Sequence, residues 1–287
     1  SAQYGQITPK VWTGMSAPGL GGGTLSSLEA PHINNARQLA FQGYSQSADK
    51  EGIWRNTNTV IEAVAVSGQA IAPQSPLAFH TFNFDPSISD SGVVAFGSVL
   101  SPNTPRHVGI WSGVPNALTK IAVNGDPAPG TGSLFSEFIV NAYPYERYWR
   151  VGINNAGDVL FAARFEDVLG DKAGWWLNYN STPPAMAPIV FEGMSLPTTL
   201  QPPFGGGTTS ELVEGFSHAV LNQGRQTAVV MSARVGPGQG TNVSALFRGN
   251  PVTQTLHDRF VFGYDSLIYP PGIRAQSYDS GPFLADN

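Results

Sequence analysis

Four aspartates, Asp85, Asp90, Asp126 and Asp158, stand beside glycine, proline or another turn former, and carboxylates in such numbers invite a calcium or paired-acid reading. No stretch carries the alternating Asp/Asn ligands of a calcium loop, and Asp beside Gly or Pro caps turns through its own side chain. The turn reading is therefore the expectation. The histidines, at 32, 80, 107, 218 and 257, show no metal-ligand spacing. A Ser–His–Asp triad assembles in space rather than along the chain, but no nucleophile elbow of the G-x-S-x-G kind is present. The expectation is a protein without catalytic residues, metal or cofactor, and no enzyme.

Aromatic residues offer a second kind of chemistry. Trp54, Trp111 and Trp176 recur at one position of a repeated pattern, which reads as core packing. Trp175 adjoins Trp176 and, on a strand, points to the opposite face. That makes it the candidate exposed ring and the candidate glycan contact. Asn180-Ser181-Thr182 and Asn242-Val243-Ser244 fit the N-glycosylation acceptor, which marks Asn180 and Asn242 as candidate modification sites.

The elements that position these residues are strands. Gly (33) and Pro (23) together approach a fifth of the 287 residues, which favours short strands joined by turns over helices. Charged residues make up 12% of the chain, about half the roughly 25% usual for soluble proteins. With a net charge of −5 and only four lysines, at 10, 50, 120 and 172, a nucleic-acid partner has no cationic surface to meet. No apolar run approaches the ~20 residues of a membrane-spanning helix. Cysteine is absent, so disulfides and thiolate metal sites are excluded. The chain begins Ser1-Ala2-Gln3, which fits a processed mature product and equally a cloning boundary. Few lysines and many small polar residues point to an extracellular or cell-surface setting.

Three signatures recur in fixed order, the mark of a repeat architecture. The first is an apolar segment ending in Gly with Pro close behind, as in "VWTGMSAPG" (11–19), "IAVNGDPAPG" (121–130) and "IVFEGMSLP" (189–197). Its glycines, at 14, 68, 125, 193 and 263, recur at intervals of 54 to 70 residues. The second is "INNARQLAF" (33–41), "ISDSGVVAF" (88–96), "INNAGDVLF" (153–161) and "LNQGRQTAV" (221–229). The third is "GIW" at 52–54 and 109–111, "GWW" at 174–176 and "ALF" at 245–247. Each unit has room for four short strands, and in the second unit these are expected near 80–88, 92–100, 107–113 and 118–125.

The expected fold is all-β: a propeller-like array of four four-stranded repeats (20–68, 74–125, 131–193 and 198–263) within a single domain, 1–287. An incomplete repeat is split between the ends, as a lone N-terminal strand (1–19) and a lone C-terminal strand (274–287). The signatures resemble a tandem-repeat family of secreted bacterial proteins whose units read "I-N-x-x-G-x-V-A-F … G-I-W … V-A-x-x-G-D-x-A-P-G". That resemblance implies a propeller-like β-repeat in a surface or extracellular setting, and no activity.

An unfinished repeat leaves unpaired strand edges. The expected function is an extracellular structural protein that assembles with copies of itself, head to tail, into a fibre or surface layer through Val11, Trp12, Phe283 and Leu284. The alternative is a secreted or surface module that binds glycan or protein, with Trp175 as its marker.

Overall fold

The computed structural model describes residues 10–57, 60–71, 76–82, 85–102, 107–138, 151–181, 185–194, 212–223, 227–235, 241–250 and 255–262. Among these there is no helix, and strands arrange in four antiparallel sheets. The chain divides into two compact units, Ser1–Ala122 and Val123–Asn287.

In the first unit, β1 (Ser27–Ile33), β2 (Leu39–Ser45), β3 (Lys50–Thr57) and β4 (Val60–Val66) pair in chain order. The second sheet follows the same plan. In it β5 (Ala78–Thr81) and β6 (Ser87–Ile88) both pair with β7 (Val94–Ser101), and β8 (His107–Val114) and β9 (Ala117–Val123) complete the order. Its observed strands agree with those expected from the sequence to within a few residues, except that the first is broken in two.

The second unit repeats the plan twice. Its first sheet holds β10 (Pro127–Ala128), β11 (Ser133–Glu137), β12 (Gly152–Ile153), β13 (Val159–Asp167), β14 (Gly170–Tyr179) and β15 (Ala185–Phe191), with β11 and β12 both on β13. Its second sheet is β16 (Leu212–Leu221), β17 (Thr227–Val235), β18 (Thr241–Asn250) and β19 (Thr255–Phe262).

The signatures fix the register of each sheet. The leading residue of the second signature pairs with the residue six positions on: Ile33 with Leu39, Ile88 with Val94, Ile153 with Val159 and Leu221 with Thr227. Between them lies a tight turn whose fifth signature residue takes a left-handed conformation, at Arg37 (φ 61°), Gly92 (φ 81°) and Gly157 (φ 83°). The signature's closing residue then lies directly across from the last residue of the third signature: Phe41 from Trp54, Phe96 from Trp111, Phe161 from Trp176 and Val229 from Phe247.

The Gly of "G-x-W" makes room for the ring. A Cβ on Gly52 would lie 2.7 Å from Trp54 Cη2, and one on Gly174 only 2.5 Å from Trp176 Cη2. The tryptophan folds back over the glycine two positions earlier on the same face. Trp54, Trp111 and Trp176 are all buried, as their regular recurrence predicts.

The first signature does not close its own repeat. It staples forward onto the first strand of the next one. The N–H of Gly14 donates to the Leu25 carbonyl (2.7 Å), and Leu25 N–H donates back to Met15 (2.8 Å). Gly68 with Phe79 and Gln69, and Gly125 with Phe135 and Asp126, form the same reciprocal pair at 2.8 and 2.9 Å. Prolines in these loops turn their carbonyls to the buried indoles, Pro18 to Trp54 Nε1 (3.0 Å) and Pro129 to Trp176 Nε1 (3.1 Å). A buried indole N–H thereby meets its one requirement.

The segment expected as a lone strand over 1–19 is, across its described residues 10–19, an irregular loop bound to the first sheet. Ser16 bridges to Thr24, Asn56 Nδ2 donates to the Lys10 carbonyl (3.3 Å), and Val11 and Met15 pack on the cluster of Leu25, Phe41, Trp54 and Val66. Gly14 (φ 94°) and Gly19 (φ 85°) in left-handed conformations, with Pro18 between them, prevent an extended run. The C-terminal strand expected at 274–287 lies outside the described residues.

Candidate functional site

Asp90, Asp126 and Asp158 serve turns. Asp158, fully buried, accepts from Asn154 Nδ2 (2.8 Å) and from the N–H of Asn180 (3.0 Å), while its own N–H donates to Asn154 Oδ1 (2.9 Å). Asp126 accepts from Val123 N–H (2.9 Å). Asp90 accepts from the N–H of Asn35 (2.9 Å), which occupies the same turn position one repeat earlier. In the second unit, Asn155 N–H donates to Gln223 Oε1 at the equivalent positions. Within each unit the two turns are thus joined, and an Asp or Gln of the later turn accepts from the earlier turn's N–H; in the first unit Asn34 Nδ2 also donates to the Ser89 carbonyl (2.6 Å).

No group of three or more His, Asp or Glu side chains among the described residues is placed to hold a metal ion. His32 and His107 are half-buried and His80 is exposed. The side chains of His218 and His257, on β16 and β19, lie outside the described set.

Trp175 corrects an expectation. It is 0% exposed, so it is not the outward ring that strand alternation suggested. Alternation does place it on the face opposite Trp176, but that face is also covered. Elements β12, β14 and β15 all contact β16 of the next sheet, so the sheet is buried on both sides. A glycan cannot reach this ring in the folded protein.

Asn180 is exposed just after β14, and its Nδ2 donates to the Ala156 carbonyl (2.9 Å), closing the turn that Asp158 organises. Asn242 lies on β18 with its side chain outside the described set. Phe283 and Leu284 fall outside the described residues altogether.

Of the residues expected at an assembly surface, the structure separates two neighbours. Val11 turns inward onto the first sheet's cluster, whereas Trp12 leaves 53% of its surface in solvent. Two further apolar residues stand out that the sequence reading missed. Val168 and Leu169 form the turn between β13 and β14 and are 99% and 82% exposed. Their signal is an aliphatic pair where the corresponding turns of the other repeats read "QSAD", "PNTPR" and "GPGQG".

Charge around that hairpin is arranged in pairs. Arg164 Nη1 meets Asp171 Oδ2 at 2.7 Å, and Lys172 Nζ meets Asp167 Oδ2. The Lys172 hydrogen bond, helped by the N–H of Leu169, holds the Asp167 carboxyl below its ordinary range. Glu192, whose Oε2 accepts from Ala173 N–H (3.1 Å), is pushed the other way by burial.

A family model described as "Family of unknown function (DUF7453)" matches residues 1–212. The chain belongs to the DUF7453 family. The match spans the first three sheets and ends at the first residue of β16. No curated protein matches this DUF7453 chain. Among solved structures, a hypothetical protein from Leishmania major aligns at 14% identity and a TM-score of 0.30, over 91% of this chain and 76% of that one. A mannose phosphorylase from Leishmania mexicana, solved in complex with phosphate ion, aligns at 13% identity and a TM-score of 0.30, with the same coverages. Likeness at that level carries no argument about fold or activity.

Proposed function

We propose that this chain is an extracellular structural protein: a propeller-like array of four four-stranded repeats whose copies associate head to tail into a fibre or surface layer. The repeated register and the buried Phe–Trp pairs favour a rigid scaffold over a catalyst, because the residues that recur are spent on packing and turns. The observation that carries the reading is Trp12. It is a large apolar side chain, half in solvent, on a backbone fixed by its inward neighbour Val11 and by the Gly14–Leu25 bonds. Buried aromatic anchors of this kind dominate the energetics of protein contacts.

Light scattering on the whole chain over a concentration series tests it. The mean mass rises with concentration in the wild type, and Trp12→Ala shifts that rise to higher concentration while the chain still unfolds in one cooperative step, at a cost of no more than about 2–3 kcal/mol for the half of the ring that is buried. A wild-type mass that stays at one copy throughout would end this reading.

A second reading, a secreted or surface-displayed glycan-binding module, loses its marker with the burial of Trp175 and retains Trp12 as an exposed ring for a sugar face. Glycan binding by wild type that Trp12→Ala abolishes, without self-association, would favour it.

A further inference from the structure

The turn between β13 and β14 carries the two most exposed large apolar side chains among the described residues, Val168 at 99% and Leu169 at 82%. Asp167 pairs with Gly170, so Val168 and Leu169 are a two-residue hairpin loop. Asp167 opens the turn and Gly170 takes its left-handed conformation (φ 117°), so the flanks meet the backbone's needs. The two central positions are open to almost any residue, and nothing in the turn calls for an aliphatic pair in water. Such a pair, presented to solvent, points to a contact.

The tip is also braced. Leu169 N–H donates to Asp167 Oδ1 (2.7 Å), and the Lys172–Asp167 and Arg164–Asp171 pairs clamp the strands just behind it. Two aliphatic side chains are thereby presented on a stiff stalk. The stalk's cations are both engaged with carboxylates, and no Trp or Tyr flanks the tip, so the usual anchors for a bilayer surface are missing.

We propose that this tip is the second half of the contact between copies: Val168 and Leu169 of one molecule dock on the surface around Trp12 of the next. The inference rests on the self-association proposed above and names its other face. Apolar area matches apolar area. Charge is complementary as well, since exposed Glu166 adjoins the tip and exposed Lys10 adjoins Trp12. Donor and acceptor surfaces differ, so the contact is heterologous and adds copies in one direction, closing to a ring or running on as a filament.

Sedimentation velocity on the full chain decides the matter, with Val168→Asp/Leu169→Asp, Glu166→Lys, Lys10→Glu and the double charge reversal run beside wild type. The tip variant raises the association midpoint by about tenfold or more. Each single charge reversal also raises it, and the double reversal brings it back towards wild type. All side chains changed are exposed, and unfolding curves that overlay the wild type confirm an intact fold. A tip variant that assembles at the wild-type midpoint, while Trp12→Ala disperses, would overturn the docking and leave self-association standing. A wild type that never associates overturns both. Binding of wild type to phosphatidylcholine vesicles, lost in the tip variant and without self-association, would overturn it in favour of a lipid surface.

Discussion

Phe161 and Trp176 face each other across β13 and β14 with ring centroids 6.4 Å apart and planes 22° from parallel. Phe41 with Trp54 (6.1 Å, 20°) and Phe96 with Trp111 (6.2 Å, 24°) repeat the same stacked pair. A third ring closes the cluster edge-on in two of the sheets, Phe135 at 5.0 Å from Trp176 and Phe79 at 5.3 Å from Trp111. Leu25 takes the corresponding place in the first sheet, bonded to Gly14 as Phe79 is to Gly68. The repeat is therefore one packing unit, with the second and third signatures supplying the stack and the first supplying its lid.

Trp176→Ala removes the centre of one such unit. The expected loss is about 3–5 kcal/mol of unfolding free energy, the range for large aromatic truncations in cores. Trp176→Phe keeps most of the apolar area but leaves the Pro129 carbonyl without its donor, at about 1–3 kcal/mol. Urea titration measures both, and a Trp176→Phe variant as stable as wild type would show that the Nε1–Pro129 bond contributes nothing.

Gly174→Ala tests why "G-x-W" carries a glycine. The new methyl would meet Trp176 Cη2 at 2.5 Å and Phe191 Cβ at 2.8 Å, and the latter sits next to backbone and has little freedom to yield. Overpacking of this kind costs about 1–3 kcal/mol. An unfolding midpoint equal to wild type would contradict it.

Asp158→Ala strips the buried acceptor from Asn154 Nδ2 and the N–H of Asn180, with an expected cost of about 1–3 kcal/mol. Asp158→Asn retains one carbonyl acceptor and should cost less. The order of the two variants in chemical denaturation is the check.

Glu192 and Asp167 give the second unit opposing pH responses. Burial raises the Glu192 carboxyl, so its stabilisation is full below the unfolded-chain value and is lost as pH rises through the folded one. The Lys172 hydrogen bond lowers Asp167, so its contribution is present above the unfolded value and is lost as pH falls through the folded one. Glu192→Gln keeps an acceptor for Ala173 N–H and removes the first response alone. Between neutral pH and about pH 4, the variant should gain less stability on acidification than wild type. An unchanged slope would rule out Glu192 as its source.

Much of this fold was legible because its instructions are local and repeated. The six-residue closure from Ile153 to Val159 needs only an Asn, a left-handed Gly157 and a polar return, all written in "INNAGDV". The stacking of Phe161 on Trp176 follows once that turn sets the register. Legibility failed where the answer depends on the neighbouring sheet. Trp175 alternates as expected, yet a sheet covered on both faces has no outward side, and no pattern within one strand says so. The forward staple of Gly125 onto Phe135 was equally hidden, because the signature is contiguous with the strand before it and bonded to the one after. Val168 and Leu169 were readable in principle, as an aliphatic pair at the centre of a turn whose ends Asp167 and Gly170 already mark.

Negative-stain electron microscopy of the wild-type chain across a concentration series tests the central claim most directly. Head-to-tail association predicts regular filaments or closed rings with a single repeating contact, becoming more abundant as concentration rises. Fields of separate, uniform particles at every concentration would contradict a structural role built on self-association.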